Sequence, residues 1–218
     1  MLADLLPLIV AAALLPAWIM VVLLLLRGEG GALRAGMLVG GAMLTRLLQG
    51  VVFGLLFGAV SSATDSIVAE TLLLVVGILF LVLGVRKVVA EEDSDAPPPR
   101  WMARIGSVSP LAAFGLGAVF MLVAVKQWVF TLSAIAIIEA AAPGQPAGAL
   151  IYVGFVVGAA SLLLLPVIIS ALAPDASARV VEAAHGWLER NSRILAIVVS
   201  LGFGVWFTWK GATGLLGQ

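Results

Sequence analysis

The chain has 218 residues, of which 62% are apolar and 11% charged, with 12 basic and 12 acidic side chains and no cysteine. Ordinary globular domains carry roughly a quarter charged residues, so this sequence supplies too little polar surface for a soluble fold. Zero net charge gives a nucleic-acid partner no electrostatic support, and the missing cysteines exclude disulfides and thiolate metal sites.

Residues 5–26 form a continuous apolar run, long enough to cross a hydrocarbon core roughly 30 Å thick. No basic residue precedes it and Asp4 stands there instead, so a retained first span is expected rather than a cleaved signal segment. Comparable runs follow at 35–60, 69–85, 110–138, 149–173 and 194–216. Backbone in contact with lipid must satisfy its own hydrogen bonds, so each run is expected to be a helix. The fold class is therefore an all-α membrane protein of six transmembrane helices.

The connections orient the spans. Arg27 and Arg34 lie between the first and second, and Arg86, Lys87, Arg100 and Arg104 between the third and fourth. Arg179, Arg190 and Arg193 lie between the fifth and sixth, whereas the alternate connections, 61–68 and 139–148, hold neither Lys nor Arg. Basic loops stay cytoplasmic, which puts both termini outside. The proline-rich, charged stretch 91–104 reads as a cytoplasmic linker between residues 1–90 and 105–218. Near 176–190, Val180, Val181, Ala184, Trp187 and Leu188 fall on one helical face, as in an amphipathic helix lying on the inner leaflet. His185, the only histidine, is expected on its solvated face.

The two halves share a hydropathy pattern. Leu6-Pro7-Leu8 matches Ser109-Pro110-Leu111, Gly36 and Gly40 match Gly154 and Gly158, and Gly84-Val85-Arg86 matches Trp209-Lys210-Gly211. Three spans per half give the halves opposite orientations, so two inverted three-helix repeats are expected, with a substrate site near the midplane. Gly36 and Gly40, like Gly50, Gly54 and Gly58, recur every fourth residue, a spacing that lets helices approach closely.

Arg46 and Lys126 fall deep within spans, and Lys210 lies near enough to an end to snorkel to the interface. A cation at the bilayer centre costs about 2.5–3.5 kcal/mol on insertion scales, so it normally faces a partner or a cavity. No carboxylate falls at matching depth, because Asp4, Asp65, Glu70 and Glu139 sit towards span ends. Arg46 and Lys126, assisted by Gln49 and Gln127, are therefore expected to attract a carboxylate, phosphate or sulfate head group. An alternative that needs no ligand is hydrogen bonding of each cation to carbonyls freed at helix breaks, for which Pro16 and Pro166 are the candidates. The spans contain no Ser/His/Asp set, carboxylate pair or metal-ligand cluster, so no enzyme activity, cofactor or metal is expected. No phosphate-binding Gly-x-x-x-x-Gly-Lys-Ser/Thr loop is present either.

Leu6-Pro7-Leu8 through Pro16, followed by a leucine run, a glycine-rich turn and Arg34-Ala35-Gly36, resembles the first two spans of the lysine-exporter superfamily. Residues 109–117 (SPLAAFGLG), Trp187-Leu188-Glu189-Arg190-Asn191 and Lys210-Gly211 resemble its GAP-like branch, the sulfolipid- or glycolipid-addressing proteins. Where that family carries Asn-Pro-Lys in its fourth span, this chain has Ala124-Val125-Lys126, so only the lysine matches. The resemblance implies export of lipid-linked molecules from a bacterial inner membrane, with membrane lipids and an anionic amphiphile as partners. A small-molecule exporter of amino acids or anions, a homodimer, and an accessory subunit of a larger lipid-export complex all fit the same sequence.

Overall fold

The computed structural model describes residues 2–58, 62–89, 105, 108–141 and 146–217. The expected linker at 91–104 lies outside them. Eight helices run among the described residues: α1 (Leu2–Ala13), α2 (Pro16–Leu26), α3 (Gly31–Gly58), α4 (Ser62–Val89), α5 (Pro110–Val123), α6 (Val125–Ala140), α7 (Ala147–Leu172) and α8 (Pro174–Leu216). Helices α3, α4, α7 and α8 are long and apolar enough to cross a membrane singly, and the count reaches six when α1–α2 and α5–α6 are each taken as one bent span. Large apolar side chains such as Val51, Leu55, Val82, Val198 and Val205 point outward, the arrangement expected where the surrounding solvent is hydrocarbon.

The two bent spans break for different reasons. Between α1 and α2 the axis turns by 52°. Leu15 is extended there (φ −102°, ψ 100°), because the ring of Pro16 disfavours the helical region at the preceding residue. Pro16 then opens α2, where its missing N–H costs nothing. Between α5 and α6 the turn is 72°, yet its pivot, Ala124 (φ −75°, ψ 92°), has neither proline nor glycine beside it. The indole Nε1 of Trp128 donates to the Leu122 carbonyl at 2.6 Å, satisfying a backbone acceptor at the break. By contrast α7 runs through Pro166 without interruption.

Close backbone approach at glycines fixes the packing. A Cβ on Gly41 of α3 would strike the Phe114 carbonyl of α5, and one on Gly117 of α5 would strike the Leu38 carbonyl of α3. Gly77 meets the backbone of Thr208, and Gly204 meets Leu81, so α4 and α8 touch in the same way along the most extensive helix pair. Of the glycines singled out by spacing, Gly50 receives the Tyr152 ring and Gly158 faces Ile9, whereas Gly40, Gly54 and Gly154 have no neighbouring atom within 4 Å of a Cβ position.

Helix α8 is 43 residues long, about 65 Å at 1.5 Å per residue. The segment near 176–190 forms its first turns and passes into the last span without a break. Val181, Ala184 and Leu188 pack against Leu23 and Ile19 of α2, while Val180 and Trp187 are exposed. His185 is only 5% exposed. The expectation of a solvated histidine is overturned because the contact with α2 selects the 181–184–185–188 stripe of the helix.

Candidate functional site

Arg46 lies about 22 Å along the roughly 42 Å length of α3, taking 1.5 Å per residue, and is only 5% exposed. Its Nη2 donates to Oε1 of Gln127, in the first turn of α6. The guanidinium stands 5.5 Å from the centre of the Phe155 ring, a geometry that favours a desolvated cation. On the main chain, the Arg46 carbonyl accepts a 2.7 Å hydrogen bond from the hydroxyl of Tyr152 on α7. Among the described residues no carboxylate pairs with Arg46.

The guanidinium faces a chamber of about 30 Å³ where both broken spans meet. Ala12 and Ala13 come from the end of α1, Trp18 from the start of α2, Met121 from the end of α5 and Gln127 from the start of α6. Helix N-termini carry partial positive charge and C-termini partial negative charge. Two of each converge here, so their contributions offset and Arg46 sets the sign. Polar capacity is also left over: Arg46 Nε is buried without a hydrogen-bond partner among the described residues, and so, one turn along α3 and outside the chamber lining, are both amide atoms of Gln49. Each such group costs about 1–3 kcal/mol if it stays unpaired, so this region is suited to a polar visitor.

The four polar residues expected at the site are distributed unevenly. Arg46 and Gln127 are in direct contact, and Gln49 is buried one turn further along α3. Lys126 does not line the chamber; its ammonium lies 5.4 Å from the centre of the Phe80 ring on α4. Of the two prolines, Pro16 sits at the first break, whereas Pro166 lies inside continuous helix. Sequence reasoning missed Tyr152 and Phe155. Tyr152 is the chain's only tyrosine, and a lone phenol in an apolar span needs a hydrogen-bond partner, which was the available signal.

Charged contacts tie both ends of the first bent span to α8. Asp4 in α1 pairs with Lys210, whose ammonium also lies 5.4 Å from the Trp206 ring centre. Lys210, expected near the end of its span, thus makes an ion pair between helices there. At the other end Arg27 pairs with Glu182 at 3.1 Å and reaches His185 Nδ1 at 3.5 Å. Beside this contact a cavity of about 490 Å³ is lined by Arg27, Gly30, Gly31, Ser170 and Glu182. Among the described residues no group of His, Asp and Glu side chains has the arrangement of a metal site.

These features define a multi-pass helical membrane protein with a buried arginine where two broken spans meet. A family model described as "Sap, sulfolipid-1-addressing protein" matches residues 5–213. The chain therefore belongs to the sulfolipid-1-addressing protein family. No curated protein and no solved structure matches it.

Proposed function

We propose that this protein is an inner-membrane carrier that moves an anionic amphiphile outward by alternating access, with Arg46 as the head-group contact. The observation that carries this reading is a guanidinium at mid-span whose side-chain partner is the neutral Gln127 rather than a carboxylate. A charge in that position favours an anion strongly, because little solvent screens it. The family description names a sulfolipid, and a sulfated lipid combines the required anion with acyl chains. Gln127 completes the head-group contact, and Lys126 adds long-range attraction from the far side of α6.

Two inverted three-span repeats with both termini outside fit this mechanism. The breaks support the repeat: each half begins with a bent span, at Leu15–Pro16 in one and at Ala124 in the other. Helix contacts pair off in the same sense. Contact of α3 with α5 is answered by α7 with α1, and α4 with α6 by α8 with α2. On the resemblance described above, we place the chain in the lysine-exporter superfamily and in a bacterial inner membrane, and we assign it no catalytic chemistry.

The test is movement of a labelled sulfated or phosphorylated lipid across reconstituted vesicles, comparing wild type with Arg46→Gln and with Arg46→Gln plus Lys126→Gln. Loss of movement in folded Arg46→Gln is expected, and movement at the wild-type rate would refute the role of Arg46. The small chamber favours a second reading, in which the protein is a non-transporting subunit of a larger lipid-export complex. Failure of the wild-type protein alone to move any of several anionic lipids would select that reading.

A further inference from the structure

A second cavity, of about 360 Å³, lies between α3, α6 and α7. Its floor is the row Leu47, Gly50, Gly54 on α3, its walls are Ile135 and Ile138 on α6 with Val153 on α7, and Tyr152 closes its inner end. The far end reaches Leu55, Glu139 and Ala149, near the last turns of α3 and α6 and the first turn of α7. These helix ends lie at the far end of α3 from the Arg27 turn. From Gly50, where Tyr152 lies, to Leu55 the groove runs about 8 Å at 1.5 Å per residue.

We propose that this groove binds one acyl chain of a membrane lipid, inserted along α3 until its methyl end meets Tyr152. Three observations select that occupant. Val51, Leu55 and Val153 on its rim are 62%, 73% and 44% exposed, so the opening faces hydrocarbon. A single carboxylate, Glu139 at the mouth, is the only charge on its lining, which rules out an anionic head group inside. The rest of its lining is Leu, Ile, Val, Ala and Gly with one Tyr, the kind of surface that a flexible hydrocarbon chain fills. An apolar space of this size beside lipid fills, because leaving it empty forfeits dispersion contacts on every lining atom.

The glycines make the groove and also connect it to Arg46. Arg46, Gly50 and Gly54 succeed one another at intervals of four on a single face of α3. A Cβ at Gly50 would collide with the Tyr152 ring, whereas one at Gly54 meets nothing within 4 Å. Gly54 thus leaves the floor open, and Gly50 lets Tyr152 lie against α3 as the partition between groove and chamber. The Tyr152 hydroxyl holds the Arg46 carbonyl at 2.7 Å, so the bound chain ends one side chain away from the arginine. This inference concerns lipid binding, and it stands or falls separately from the carrier reading.

The experiment uses phosphatidylglycerol carrying a photoreactive group in one acyl chain, incorporated with the full-length protein into vesicles of unlabelled phosphatidylglycerol. After irradiation, cross-linked residues are mapped by mass spectrometry in wild type, Gly54→Leu and Gly202→Leu. Gly202, like Gly54, has no atom within 4 Å of a Cβ position, so it controls for a new leucine on a lipid-facing helix. Cross-links are expected to concentrate on residues 51–55, 135–139 and 149–153 and to fall about tenfold, the change given by 1.4 kcal/mol, in Gly54→Leu alone. Gly54→Ala, with a smaller obstruction, keeps an intermediate yield. Labelling spread evenly over exposed residues of α3, α4 and α8, or undiminished in Gly54→Leu, would overturn the groove. Transport measured on the same vesicles bears on the carrier reading alone.

Discussion

The glycine contacts between α3 and α5 can be tested with internal controls one or two residues away. In Gly117→Ala the new methyl meets the Leu38 carbonyl, and in Gly41→Ala it meets the Phe114 carbonyl. Backbone atoms cannot rotate aside as a side-chain tip can, so the helices must separate. Forced overpacking costs about 1–3 kcal/mol, and a backbone collision belongs at the upper end. At roughly 2–4 °C per kcal/mol for a chain of this length, each variant should melt about 6–12 °C below wild type. Gly115→Ala and Gly40→Ala are the controls, because a methyl at either position meets nothing within 4 Å. Each should match wild type or exceed it slightly, since alanine is about 1 kcal/mol better than glycine inside a helix. The assay is scanning fluorimetry of the native tryptophans in detergent micelles. If Gly117→Ala melts together with Gly115→Ala, the reciprocal crossing of α3 and α5 is refuted.

Two further perturbations address the site and the contacts around it. Tyr152→Phe removes the donor to the Arg46 carbonyl and should cost about 1 kcal/mol, with a correspondingly small fall in melting temperature; a variant as stable as wild type would deny that hydrogen bond a structural role. For Asp4 and Lys210, Asp4→Asn and Lys210→Met should each destabilise, and the double variant should lose less than their sum by about 1 kcal/mol, the coupling of contacting charges. Strict additivity in that cycle would mean that the pair contributes nothing.

The long apolar helices were legible because hydrocarbon imposes a length on apolar sequence: four expected runs fall in single helices long enough to cross a membrane, and two fall on bent helix pairs. The first break was also legible, since Pro16 restricts Leu15. The second was not: Ala124 has no proline or glycine beside it, and the hydrogen bond from Trp128 to the Leu122 carbonyl that accompanies its break is a contact made only on folding. Glycine spacing marked Gly40 and Gly54, which have open surroundings, and overlooked Gly41 and Gly117, which carry the contact. A repeat of four identifies a row along a helix but not the face that a neighbour will occupy. Arg46 and Gln127 were readable as polar groups out of place in an apolar span. Lys126 was singled out on the same grounds, but a rotation of about 100° per residue turns it from Gln127's face towards Phe80.

The two ion pairs on the first bent span bear on how the chamber can open. Asp4 is held to Lys210 and Arg27 to Glu182, and these two anchors on α8 are 28 residues apart, about 42 Å at 1.5 Å per residue. A straight span fixed to one rigid helix at both ends could not swing away at one end without straining the other. The 52° break at Leu15–Pro16 removes that constraint, because α1 and α2 can pivot separately. At about 30 Å³ the chamber is far smaller than the groove of about 360 Å³ between α3, α6 and α7, so a lipid head group needs it wider. Admitting a head group therefore requires one contact to open while the other holds, and the break beside the chamber is the place where that motion costs least.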